Sequence, residues 1–144
     1  MVILRMDHTG VVVDDLEGAK AFFVALGMEL EGEAPIEGAW VDQVNAIEGV
    51  RVEIAMLRTP DGHSRLELTK FHSPVAFSDG SADVPNALGL RNIMFAVDDV
   101  DATVATLGAH GGELIGEVAH YENAYKLCYI RGPEQIIVAL AEQL

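Results

Sequence analysis

"MDHTGVVVDD" (residues 6–15) and "LRNIMFAVDD" (residues 90–99) are two copies of one pattern: a polar residue, an apolar run, then Asp-Asp. Aligning Asp14-Asp15 with Asp98-Asp99 sets an offset of 84 residues (98 − 14). Val11 then falls on Phe95, Val13 on Val97 and His8 on Asn92. Internal self-similarity of this kind dictates architecture.

After each Asp pair comes a helical stretch. In "DLEGAKAFFVALGM" (15–28), Leu16, Ala19, Phe22, Phe23 and Leu26 recur at helical spacing. In "DVDATVATLGAHGG" (99–112), Val100, Thr103, Val104 and Leu107 do the same. One aspartate of each pair is expected to cap its helix, and Gly27 and Gly111 stand near where the helices should end. Further on, "VRVEIAMLRTPDGHSRLELTKF" (50–71) matches "AYKLCYIRGPEQIIVALAEQL" (124–144): Arg58 meets Arg131, Pro60 meets Pro133, and "LEL" meets "VAL". Each member reads as strand, Pro-bearing turn, strand. Each half is thus strand, helix and three strands, the second of the three poorly marked. The chain is predicted to be α+β, with module one at about 1–72, a Ser-, Pro-, Asp- and Gly-rich linker at about 73–89, and module two at about 90–144. Halves this small are marginal alone, so they are expected to share one groove within a single domain.

Composition narrows the function. Half of the 144 residues are hydrophobic, enough for a core. Nine Lys and Arg against 23 Asp and Glu give a formal charge of −14, which argues against nucleic acid and would attract a cationic small molecule. No apolar run reaches the ~18 residues of a membrane span, and the N-terminus reads as a strand rather than a signal peptide. Cys128 is the only cysteine, which points to a reducing, cytoplasmic setting and to a small buried apolar role.

Strand alternation then predicts a groove face. His8 shares a face with Met6, Gly10 and Val12; Glu67 shares one with Arg65 and Thr69; Leu66 and Leu68 turn to the helix side. Asn92 goes with Met94 and Ala96, and Gln135 with Ile137 and Ala139. The central strands are expected to add Arg51, Glu53 and Ala55, then Lys126, Cys128 and Ile130. His72 is expected at the cavity mouth, His63 in an exposed turn and His120 in a loop, with Trp40 as an aromatic wall or a core residue.

The order and duplication of "DHTGVVVDDLEGAKAFFVALGMEL", "RLELTKF", "LRNIMFAVDDVDATVATLGAHGGEL" and "RGPEQIIVALAEQL" resemble the vicinal oxygen chelate superfamily of glyoxalase I, extradiol dioxygenases and bleomycin-resistance proteins. The resemblance covers nearly the whole chain. It implies two tandem βαβββ modules forming one curved-sheet half-barrel groove, and a homodimer. It also implies metal-ligand positions on the first and last strand of each module, which here hold His8, Glu67, Asn92 and Ala139. His8 and Glu67 suit Zn, Fe, Ni or Mn, whereas Asn92 is a weak donor and Ala139 is none.

Two functions are therefore expected. In the first, His8 and Glu67 hold a divalent metal, Glu53 moves a proton, and Arg51, Arg65, Asn92, Lys126 and Gln135 bind a small oxygenated substrate for isomerase, lyase or dioxygenase chemistry. In the alternative, the groove sequesters a small molecule, such as a drug, with no metal at all.

Overall fold

The computed structural model describes residues 2–79 and 84–144. The chain divides into two compact units, one ending at Ser78 and the other beginning at Asp79. Part of the expected linker, residues 80–83, lies outside the described residues.

In the first unit, β1 (Thr9–Val12) leads into α1 (Leu16–Leu26), β2 (Glu29–Glu37), a short α2 (Ala39–Asn45), β3 (Arg51–Arg58) and β4 (Arg65–Ser73). The sheet order is β1-β4-β3-β2, with β1 parallel to β4 and the other pairs antiparallel. The second unit repeats this plan with β5 (Asn92–Ala96), α3 (Val100–Gly108), β6 (Glu113–Tyr121), β7 (Tyr125–Arg131) and β8 (Ile137–Gln143), in the order β5-β8-β7-β6. The fold is α+β, built from two tandem βαβββ modules.

The duplication extends to register. Thr9 pairs with Leu66 and Gly10 with Glu67; their counterparts Ile93 and Met94 pair with Val138 and Ala139. Parallel pairing of the first and last strand needs a crossover, which the helix supplies. Of each Asp pair, the second member caps the helix. Asp15 accepts from the Gly18 amide and Asp99 from the Ala102 amide, both at 2.9 Å. Gly18 is suited to this turn, because a Cβ there would lie 2.4 Å from Asp15 Oδ2. Asp15→Ala is expected to cost about 1 kcal/mol in chemical denaturation, the usual loss for such a cap.

Each helix covers one face of its own sheet. Under α1 lie Val13, Ala55, Leu57, Leu66 and Leu68, packed with Phe22 and Phe23. Under α3 lie Cys128, Ile130, Val138 and Leu140, with Leu107 from the helix. Burial pushes the Cys128 thiol pKa up, and Asp101 adds to the effect.

One helix went unforeseen. α2 is only seven residues long and follows Gly38, too short for a helical period to stand out. It packs Val41 with Val50 and Val52 against Ile36, Ile54 and Phe71. Asp42 fixes the loop after it, accepting from the amides of Gly49 (2.9 Å) and Val50 (2.8 Å). Trp40 lies on this helix and is 57 % exposed, so it is not a core residue. Among the described residues no helix is long and apolar enough to cross a membrane.

Candidate functional site

The face of the first sheet turned away from α1 carries the site. Register and alternation place Gly10 and Val12 of β1, Arg65, Glu67 and Thr69 of β4, and Ile54 and Met56 of β3 together on it. Gly10 lies directly opposite Glu67. A Cβ at Gly10 would meet nothing within 4 Å, so the backbone leaves open space beside the carboxylate.

His8 stands just before β1 and reaches Glu67, with Nε2 3.7 Å from Oε2. These two side chains are 36 % and 27 % exposed, neither buried nor free. Each has a further polar contact. The Thr69 hydroxyl donates to Glu67 Oε1 at 3.3 Å, and the other His8 nitrogen, Nδ1, lies 2.9 Å from Asp7 Oδ2. Arg5 donates to the second oxygen of Asp7 at 3.1 Å. The His8 ring, and then the Arg5 guanidinium, hold the Asp7 carboxyl below the usual carboxylate range.

An imidazole and a carboxylate facing each other form a donor pair suited to a divalent transition metal. The set stops at two. Among the described residues no group of three or more His, Cys, Asp or Glu side chains comes together in ligating geometry. Remaining coordination positions would fall to water or to the oxygens of a bound molecule.

Arg65 shares the face of Glu67, as expected, but its Nε is bonded to Glu31 at 2.9 Å. Arg51 and Glu53 do not join them. The register pairs Glu53 with Lys70 and Ala55 with Leu68, so Arg51, Glu53 and Ala55 alternate onto the side that α1 covers. Glu53 lies 3.2 Å from His72 Nε2 and lines a cavity of about 150 Å³ with Leu16, Glu17, Lys20, Glu33, Ala34, Pro35 and Ile54. Lys20 bonds Glu17 at 2.6 Å and also bonds Glu33, and these two hydrogen bonds raise its pKa. His72, in β4, faces Glu53 of β3 rather than the mouth of the His8–Glu67 face.

The same correction holds in the second module. Lys126 pairs in register with Glu142, and Cys128 with Leu140, so both point to the α3 side, where Lys126 bonds Asp101. Ala139 is flanked instead by Met94 and Tyr129. Gln135 is in no strand. It closes a 3-10 turn (Pro133–Gln135) with φ of 65°, and β8 begins only at Ile137. Asn92 opens β5 opposite Ile137, on the face of Met94 and Ala139, and is exposed. His120 lies in β6 opposite Lys126 rather than in a loop, and His63 is exposed in its turn.

The two modules thus differ at equivalent points. The first places a glycine beside a glutamate, Gly10 and Glu67; the second places a methionine beside an alanine, Met94 and Ala139. At the position of Glu67 the second module has no donor, only Ala139. Asp7 and Thr69 are the site's additional polar contacts. Thr69 was legible as a residue two from Glu67. Asp7 was not, because alternation gives no rule for residues ahead of a strand.

A family model described as the Glyoxalase/Bleomycin resistance protein/Dioxygenase superfamily matches residues 5–140. The chain belongs to this superfamily. A glyoxalase family protein from Bacillus cereus is 49% identical and superposes with a TM-score of 0.95, over 100% of this chain and 97% of that one. Two more distant structures share the fold. The fosfomycin resistance protein FosX from Listeria monocytogenes, solved with Mn(II), has a TM-score of 0.64 at 13% identity, over 99% of this chain and 93% of that one. TnmS3, an antibiotic binding protein from Streptomyces sp. CB03234, has a TM-score of 0.64 at 19% identity, over 100% of this chain and 99% of that one. Membership in the superfamily agrees with the vicinal oxygen chelate pattern read from the duplicated motifs.

Proposed function

We propose that this protein binds a divalent cation through His8 Nε2 and Glu67, and presents it to a small oxygenated molecule for isomerase, lyase or dioxygenase chemistry. The observation that carries this reading is the 3.7 Å approach of the two donors across Gly10. The likeness to a Mn(II)-bound fosfomycin resistance protein supports it at the level of fold. The cation, when bound, supplies Lewis acidity toward a carbonyl or enediolate oxygen. His8 and Glu67 hold it and leave open positions for ligand oxygens. Thr69 steadies one oxygen of Glu67, so that the other faces His8. Glu53 takes no part, because it stands on the far side of the sheet.

A second reading has its own support. Ala139 offers no donor at the position equivalent to Glu67, which suits a protein that only sequesters its ligand. The likeness to an antibiotic binding protein points the same way. In either reading a homodimer in the cytoplasm is the working form proposed. Val2, Ile3, Leu4 and Met6 are each more than 80% exposed in the single chain, which supports a partner surface.

The test is metal analysis of protein purified without a His-tag column, followed by calorimetric titration with Mn, Ni, Zn and Fe(II). About one ion per chain, with a rise in melting temperature on loading, is the expected result. No bound metal and no thermal shift with any of these cations overturns the catalytic reading in favour of sequestration.

A further inference from the structure

We propose that Asp7 is the positioning residue of this site: its carboxylate fixes His8 in the Nδ1–H tautomer and turns the Nε2 lone pair toward Glu67. An ionised carboxylate only accepts hydrogen bonds. Asp7 Oδ2 stands 2.9 Å from His8 Nδ1, so this bond exists only when Nδ1 carries the proton. Arg5 engages the other oxygen of Asp7 at 3.1 Å, which keeps the carboxylate oriented and balances its charge. In a neutral ring the second nitrogen is then an acceptor. It faces another acceptor, Glu67 Oε2, at 3.7 Å. Two acceptors turned toward each other call for a positive or proton-donating species between them, and a divalent cation is one that meets that need. Carboxylate partners of this kind orient ligating histidines and raise their basicity. The consequence for cation binding rests on the function proposed above; the tautomer itself does not.

Histidine 15N shifts test the idea on the cation-free protein, at about pH 8.5, where an ordinary imidazole is neutral. His8 is expected to show a protonated Nδ1 and a bare Nε2, whereas free histidine favours the opposite tautomer. Asp7→Ala is expected to move His8 toward the Nε2–H form and to weaken Mn(II) binding about tenfold, the lower end for such partners, because Asp7 is half exposed. A merely structural role for Asp7 would lower the cation-free melting temperature and leave the tautomer in place. That result overturns the proposal, as does a wild-type His8 already in the Nε2–H form. If the tautomer moves but neither protein binds a cation, the positioning role stands and the cation-dependent function falls.

Discussion

Alanine at either His8 or Glu67 is expected to weaken divalent-cation binding by more than about a hundredfold, since losing an outer-shell partner alone costs 10- to 100-fold. Among the described residues the site brings two protein donors, His8 and Glu67, within reach of each other, so removing one leaves a single protein ligand. The double variant should then bind scarcely worse than either single one, because each deletion already destroys the pair. Calorimetric titration with Mn or Ni over the four proteins gives the cycle. Losses that simply add would mean that the two residues act at separate places. Without cation, the substitutions are expected to shift stability by no more than about 0.5 kcal/mol, as is usual for partly exposed side chains.

Phe23→Ala is expected to cost about 3–5 kcal/mol, a large part of a small domain's stability. Phe23 is fully buried beneath α1, and its ring meets Phe22 edge-on with centroids 5.1 Å apart. The deletion loses both the transfer energy of the ring and that aromatic contact, and it leaves a cavity that the sheet beneath cannot fill. The next residue supplies the control. Val24 is 49% exposed on the same helix, so Val24→Ala should cost well under 1 kcal/mol. Urea unfolding of both variants reads the difference. Equal losses would mean that α1 does not seat its Phe23 face on the sheet.

Part of the candidate site's placement was legible from residue order. Alternation set His8 with Gly10, and Glu67 with Thr69, and the register makes Gly10 and Glu67 neighbours. It failed on the central strands. β3 carries Ile54 and Met56 on one face and Ala55 and Leu57 on the other; β7 carries Leu127 and Tyr129 against Cys128 and Ile130. With apolar residues on both faces, the period-2 signal does not say which face meets the helix. That ambiguity sent Arg51, Glu53 and Lys126 to the wrong side. Gln135 was misplaced for another reason: the turn after Gly132-Pro133 runs longer than the strand pattern implied.

By itself, then, the sequence determined the duplicated module, the capping aspartates, the faces of the first and last strand of each module and the membership that follows from them. Those features are written in local periods and in an offset that survives duplication. Only the tertiary structure decided which way the central strands face, that α2 exists, and that Asp7 touches His8. Each of these depends on pairing register or on backbone outside regular strands, where neighbours along the chain do not dictate where a side chain points.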